Sequence, residues 1–567
     1  LHKTVHSFPT RRSSDLGSTW QVINSSNIPG STYAWSFGPD AVPASSSAMA
    51  PSVSFNTPGT ASITLSLTSP EGCVDQAEAS IQVIPGFVPD ACIGIQGHQV
   101  GGSGSFLCGV AYGPSHELVS LVSTEGASRV KFFGTHQDSV TSYPTYSSSS
   151  YNHYNHLLKV DSSGVPQWMV RISKEESWGG DGDVCVDEAG NIYAVIFIGA
   201  SSSSSDSVRI QSSDGSSIEF RASPGPNSTR RVMVASWDGN GLFRWYDTFL
   251  THYGASAFRI AAGEDSLIRV LVGGSGSVNP YLSAYDSNSG VLVWANQASN
   301  YNVSADMVVD TGDHAFLARG VNIDRYAPDG TLINTMTVAE NIPVAGINAQ
   351  FGLLEVVMDP AGDLYACGRF KGRWVVGSDT LENLVTTWYT NDQIICRIDT
   401  ATGPAWARRI KVTANGARGH DGFTVAGDHV LWQAAGIAGT FSIEAYPPLV
   451  SPVVCQVFVH FDTNGGTPRL WEFPEGIGNY GALSSGEWQH SLTRSWDEQR
   501  ITSVSRFSDT LLVNGASYTP YTSTSPVGNY LITVGDVECY VPGLPSPTAT
   551  PISYFLVPET PSCLGDM

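Results

Sequence analysis

Val184-Cys-Val-Asp187-Glu-Ala-Gly190-Asn-Ile-Tyr193 reads as an apolar run, then Asp-x-x-Gly, then a second apolar run ending in Tyr. Asp at a turn start accepts backbone N–H groups and Gly supplies the left-handed position, so the stretch is a β-hairpin with a tight turn. It recurs as Val356-Val-Met-Asp359-Pro-Ala-Gly362-Asp-Leu-Tyr365, with weaker copies at 307–318, 259–272, 422–434, 500–514 and 119–133. A second element, apolar-x-apolar-Asp-x-x-Gly-x-x-x-Trp, follows each first one. Its copies run from Leu157 to Trp168, Val232 to Trp245, Leu282 to Trp294, Ile394 to Trp406 and, with an insertion, Val457 to Trp471. Ile323 to Asn334 and Tyr530 to Tyr540 lack the Trp. Turn landmarks at Gly126 and Ser508 span six intervals, a mean repeat of about 64 residues. Two hairpins per repeat make four strands, and such a sheet cannot bury both faces alone. Radial stacking solves this, which predicts a β-propeller of about seven four-stranded blades.

The paired elements resemble the bacterial β-propeller repeats called SBBP repeats. Their signature is the Asp-x-x-Gly-Asn-x-Tyr hairpin followed by Asp-x-x-Gly-x-x-x-Trp. The copy at 282–294 also resembles a quinoprotein blade. The Ser-rich stretch 200–217 reads as a loop insertion.

Ahead of the repeats, Tyr33-Ala-Trp-Ser-Phe37-Gly and Ser62-Ile-Thr-Leu-Ser-Leu-Thr68 alternate apolar and polar residues, and Ile81-Gln-Val83 ends the unit. Period-two alternation with Pro58-Gly59 and Pro70-Glu71-Gly72 turns predicts a small β-sandwich. Tyr33-x-Trp35-x-Phe37-Gly38, Val53-x-Phe55-x-x-Pro58-Gly59-Thr60 and Gly72-Cys73 resemble the PKD family, immunoglobulin-like spacers or binding modules. Pro39 stands where the family usually has an acid. The expected class is therefore all-β: a PKD-type sandwich at 17–85 and the propeller at 86–541. Residues 542–567 read as a Pro/Ser/Thr linker (PGLPSPTATPIS) and the start of a truncated further PKD-like domain. Residues 1–16 (LHKTVHSFPTRRSSDL) lack the apolar centre of a signal peptide and resemble a translated sequencing adapter, so they are set aside as artefactual or disordered.

Of the 567 residues, 41% are hydrophobic but only 14% are charged, and 29 Lys and Arg face 51 Asp and Glu, a net −22. No basic stripe exists to neutralise phosphates, which argues against nucleic-acid partners. No apolar run reaches the ~18–20 residues of a membrane span. The nine cysteines stand at 73, 92, 108, 185, 367, 396, 455, 539 and 563 without a Cys-x-x-Cys. Their dispersion in a Ser- and Gly-rich chain favours an oxidising compartment. Cys367 with Cys396, and Cys92 with Cys539, are the candidate pairings.

No residue is assigned a catalytic, cofactor-binding or metal-binding role. Asp187/Gly190, Asp359/Gly362 and Asp161/Gly164 are read as turns, the alternative being calcium loops. Calcium is the one candidate cofactor, and Gly180-Asp181-Gly182-Asp183 is the nearest approach to its ligand pattern. The tryptophans are read as packing between blades, the alternative being a sugar platform. His153 and His156, three apart, fall on opposite faces of a strand, which argues against a shared metal. No Gly-x-Ser-x-Gly elbow, sialidase box or phosphate loop occurs. The reading is a non-catalytic, extracellular or cell-surface binding or adhesion protein, whose propeller grips protein or glycan. By resemblance, such chains belong to gliding or surface-colonising bacteria. A propeller hydrolase or lyase on extracellular polysaccharide, and a plain stalk segment, are the alternatives.

Overall fold

In the computed structural model the chain divides into two compact units, Leu1–Ile95 with Asp536–Met567, and Gln96–Gly535. The residues described in the first are 13–15, 20–24, 30–49, 51–55, 59–70, 72, 74–84 and 554–556. Those described in the second are 96–101, 105–125, 130–133, 139–142, 153–174, 182–199, 206–222, 229–252, 255–274, 281–297, 305–385, 392–413, 422–443, 449–466, 468–472, 492–495, 498, 500–506, 511–513, 516–518 and 529–535, and residue 536 at the end of that last strand is described too. All 45 elements among them are strands. No described helix is long and apolar enough to cross a membrane.

The first unit is two sheets facing across a core. Thr32–Ser36, Gly59–Thr68 and Val74–Ile84 build one; Ala41–Val42, Ser52–Phe55 and Trp20–Asn24 build the other. Alternation sends Trp35, Ile63 and Leu65 inward from one sheet and Ala41, Val53 and Phe55 from the other. Trp35 Nε1 donates to the Ala48 carbonyl at 2.9 Å, so the buried indole keeps a partner. Ser13–Asp15, set aside from the sequence, pairs in parallel with Val74–Ile84. Tyr554–Leu556, read as opening a further domain, pairs in parallel with Trp20–Asn24.

The second unit is a seven-bladed propeller. From inner to outer strand, blade 1 is Ser105–Tyr112, Leu118–Glu125, His153–Val160 and Pro166–Lys174. Blade 2 is Gly182–Val186, Ile192–Gly199, Thr229–Trp237 and Phe243–His252. Blade 3 is Ala255–Ala262, Leu267–Gly274, Tyr281–Asp286 and Leu292–Gln297. Blade 4 is Ala305–Val309, Ala315–Arg319, Asn322–Tyr326 and Leu332–Thr337. Blade 5 is Gln350–Met358, Leu364–Val376, Asp392–Asp399 and Gly403–Thr413. Blade 6 is Gly422–Ala426, His429–Ile443, Leu449–Asp462 and Arg469–Glu472. Each inner strand lies beside that of the next blade, and blade 7's lies beside blade 1's, so the ring is closed.

Blade 7 corrects the sequence reading. It takes Leu492–Arg494, Arg500–Arg506 and Asn529–Asp536 from the end of the unit, but its fourth strand is Gln96–Gly101 from the beginning. Where the sequence reading expects a hairpin from Tyr530, the partner of Asn529–Asp536 on its outer side is Gln96–Gly101. The copies at 119–133 and 500–514 fall one strand late: both start on a second strand, whose inner partners are Ser105–Tyr112 and Leu492–Arg494. The inner hairpin of blade 1 turns through Gly113-Pro-Ser-His-Glu117, which lacks Asp-x-x-Gly and so hid from the motif. Side chains also fasten the closure. Thr502 donates its hydroxyl to Tyr112 of blade 1 at 2.6 Å, and Ser503 to Gln433 of blade 6 at 2.9 Å. The Ser-rich insertion is not a bare loop either: Asp206–Gln211 and Ser217–Ala222 form a hairpin added to blade 1's outer strand.

Candidate binding surface

The Asp-x-x-Gly turns consume their own carboxylates. Asp187 Oδ1 accepts the Asn191 N–H at 2.7 Å, and Oδ2 accepts from Asn191 Nδ2 at 2.9 Å and the Tyr193 hydroxyl at 2.8 Å. Asp359 accepts the Asp363 N–H at 2.9 Å; Asp161 accepts those of Ser163 and Val165 at 2.9 and 3.0 Å. Burial first, then the Asp187 bond, raises the Tyr193 phenol above its ordinary value. Among the described residues no three His, Cys, Asp or Glu converge as metal ligands. His156 lies on the strand His153–Val160. His156 is buried, and that burial, with the Arg171 charge, lowers its pKa to about 3.

The tryptophans join the blades. Trp168 Nε1 donates to Gly239, Trp245 to Ser287, Trp294 to Pro328 and Trp406 to Thr463, at 3.4, 2.9, 2.8 and 3.0 Å, each acceptor in the outer turn of the next blade. Each indole also lies flush on the glycine of that turn. A Cβ on Gly241, Gly290, Gly330 or Gly465 would come within 2.4–2.8 Å of the ring. Blade 4 has Asn334 in place of Trp, and a Cβ on the matching Gly403 of blade 5 would meet nothing within 4 Å.

The inner strands carry a charged belt that no motif announced. Asp183, Arg259, Asp306 and Glu355 each stand four residues before the turn of their inner hairpin, in blades 2 to 5. The ring therefore brings them to one level. Asp183 Oδ2 accepts the Ile260 N–H of blade 3 at 3.1 Å, and Asp306 Oδ2 the Val356 N–H of blade 5 at 2.7 Å. Arg259 Nε pairs with Asp306. Burial would lower the Arg259 pKa, but Asp306, Asp183 and Glu355 hold it above its usual value. All four side chains are buried. The belt ties blades 2 to 5 together.

Cys367 and Cys396 sit on adjacent strands but not opposite one another: Cys367 faces Ile395, and Ala366 faces Cys396. One step of register sends them to opposite faces of blade 5, Cys396 toward blade 4 and Cys367 toward blade 6, and neither is in a disulfide, nor is Cys108 or Cys185. This corrects the pairing expected for them. Cys92 and Cys539 lie outside the described residues.

What remains exposed is the rim. Three outer strands carry an extra strand lent by the following blade. Pro166–Lys174 carries Asp206–Gln211, Gln96–Gly101 carries Val130–Phe133, and Gly403–Thr413 carries the far end of His429–Ile443. Among the described residues nothing pairs with the outer edges of Phe243–His252, Leu292–Gln297 or Leu332–Thr337, in blades 2 to 4, or with that of Arg469–Glu472 in blade 6. Blade 4 cannot cover blade 3, because Gly320 and Val321 alone join its middle strands. In blade 5 the equivalent chain, Asp379–Asn383, folds back on its own second strand. The uncovered rim exposes Leu250, Val291, Leu292, Val293, Leu332 and Ile333, the last four between 43% and 53%. Leu292–Gln297 and Leu332–Thr337 contain no charged residue. Monomeric proteins usually blunt such edges with charge, proline or a cover.

No family model matches this chain, and no curated protein does. Solved structures do resemble it. The Dos1 propeller aligns at 11% identity over 80% of this chain and 96% of its own, with a TM-score of 0.39. BamB from Moraxella catarrhalis aligns at 13% over 62% and 95%, TM-score 0.27. The polysaccharide lyase Uly1 aligns at 8% over 75% and 90%, TM-score 0.35. At this similarity they say nothing of chemistry, and the fold assignment rests on the strand order and the closed ring.

Sequence reasoning missed both the belt and the rim. The belt had one available signal, a charged residue at a fixed distance before the inner turns of blades 2 to 5. The rim had another, the apolar runs Val291-Leu292-Val293 and Leu332-Ile333 at the start of outer strands.

Proposed function

We propose that this chain is a non-catalytic binding module displayed outside the cell, with the sandwich as a spacer and the propeller rim of blades 2 to 4 holding a protein partner. The outer edges of blades 2 to 4, uncovered among the described residues and free of charge in blades 3 and 4, carry this reading. They form an exposed apolar patch in a chain of net charge −22, where solubility would otherwise favour charge. A protein suits the rim better than a glycan, because Trp168, Trp245, Trp294 and Trp406 are committed to neighbouring blades and offer no stacking platform. The resemblances to PKD and SBBP sequences support surface display. The test is an array of extracellular proteins and glycans probed with the full chain, with and without calcium. The expected result is a saturable protein hit that calcium leaves unchanged. An array blank for proteins overturns the reading, and a glycan-only hit moves the site away from the rim.

A further inference from the structure

The seven outer edges of one propeller are not treated alike. Blades 1, 5 and 7 each receive an added antiparallel strand from the following blade, whereas blades 2, 3, 4 and 6 have no strand on their outer edges among the described residues; those of blades 2 to 4 are consecutive, and the blade 6 edge, Arg469–Glu472, carries charge of both signs. A sheet edge is a row of unpaired N–H and C=O groups, and an extended strand is the shape that satisfies it.

The molecule itself shows what such a strand looks like. The segment on blade 7's edge reads Val130-Lys131-Phe132, with Lys131 opposite Gly101 and Phe132 opposite Val100. The segment on blade 1's edge reads Val208-Arg209-Ile210, with Arg209 opposite Ser173. Both are apolar–basic–apolar, while the third, Phe441-Ser442-Ile443 on blade 5's edge, alternates in the same way with Ser at the middle position opposite Lys411. The open edges have the matching character. Leu292–Gln297 and Leu332–Thr337 supply aliphatic surface and no cation. Asp238, Asp286 and Asp329 stand at the outer turns of blades 2, 3 and 4. Hydrogen bonds from Ser289 hold Asp286 below the usual carboxylate range, and bonds from Thr331 do the same for Asp329, so both stay ionised into acid.

We infer that the outer edge of blade 3, Leu292–Gln297, with its neighbours in blades 2 and 4, accepts an extended strand of another polypeptide, one that alternates apolar and basic residues and carries no acid. This rests on the binding-module reading and names the partner of its rim. A second copy of the chain fits less well: it would set one −22 molecule against another, and its own blade 3 and blade 4 edges bring no basic residue.

The probe is a fluorescein-labelled peptide with the sequence of residues 127–134, Ala-Ser-Arg-Val-Lys-Phe-Phe-Gly, titrated into the full chain by fluorescence anisotropy. Amide hydrogen exchange locates it. The expected result is saturable binding with slowed exchange at 292–297. Val293→Lys combined with Ile333→Lys weakens it by about tenfold or more. Val42→Lys, an equally exposed position on the sandwich, changes it by less than about twofold. Replacing both basic residues of the peptide with Glu abolishes binding. No binding, protection elsewhere, or equal binding by the rim variant overturns the proposal. So does a dimer seen by sedimentation that the rim variant abolishes, which assigns the edge to a second copy. If the partner found on the array binds the rim variant as well as the parent chain, the strand seat falls while the binding module stands.

Discussion

Gly290→Ala tests whether the tryptophan–glycine seat fastens one blade to the next. Gly290 sits at φ +71° in the outer turn of blade 3, and an added Cβ would lie 2.4 Å from Trp245 Cε3 and 2.5 Å from Cδ2. The indole has little room to retreat, because its Nε1 is bonded to Ser287 O and it is buried. Gly403 is the control. Its turn in blade 5 has the same build, Asp399 accepting from Ala401 and Thr402 as Asp286 accepts from Asn288 and Ser289. It also has positive φ, +97°, but nothing lies within 4 Å. Both substitutions incur the left-handed penalty of about 1–2 kcal/mol. Gly290→Ala alone adds overpacking, about 1–3 kcal/mol. The assay is native-state hydrogen exchange on the full chain, read at strand amides of blades 2 and 3 for Gly290→Ala and of blade 5 for Gly403→Ala, since a global two-state fit is unsuited to a chain of two units. Trp245→Ala is then added to Gly290→Ala, and the excess penalty should vanish in the double variant. Equal losses for the two glycines, or no coupling to Trp245, would refute the clamp.

Three further outcomes follow from named groups. Asp306→Asn leaves Arg259 buried without its charged partner, and should destabilise the propeller by about 3–5 kcal/mol; replacing both by aliphatics should be milder, and a mild single substitution would show that the belt is not a pairing device. His156 titrates near 3 in the fold against about 6.5 unfolded, so its neutral form stabilises the propeller fully above pH 6.5 and that contribution is lost as pH falls toward 3. By pH 4 the loss should approach about 3 kcal/mol, and His156→Gln should flatten the urea midpoint between pH 7 and 4; an unchanged slope would count against it. Cys367 and Cys396 point to opposite faces, and burial pushes the Cys396 thiol up to about 12 and that of Cys367 well above its usual value. Mild oxidation followed by peptide mass mapping should find no bridge between them, and a 367–396 disulfide would refute the register.

The hairpins were legible because their chemistry is local. Asp187 bonds the N–H of Asn191 within its own turn, so the Asp-x-x-Gly spacing carries the structure with it. The tryptophans were legible because one residue type recurs at one strand position, and a position repeated in every blade faces the same neighbour. The alternation of Tyr33 to Phe37 and of Ser62 to Thr68 told which side chains meet in the sandwich. Three things needed the tertiary structure. Gln96–Gly101 closes the ring although Gln-Gly-His-Gln-Val-Gly has no strand pattern, because its pairing with Asn529–Asp536 spans the whole propeller and no local signal encodes it. Asp183, Arg259, Asp306 and Glu355 are far apart in sequence, and only the common height of the inner strands makes them one belt. Which edges are covered depends on whether the next blade's middle connection is long enough to reach back, and on where it folds once it can. Asp206–Gln211 reaches blade 1 and Asp379–Asn383 turns on its own blade. Local turn chemistry and alternation thus set the strands and their number, while long-range pairing, which no residue holds alone, decided how the ring closes and which rim stays open.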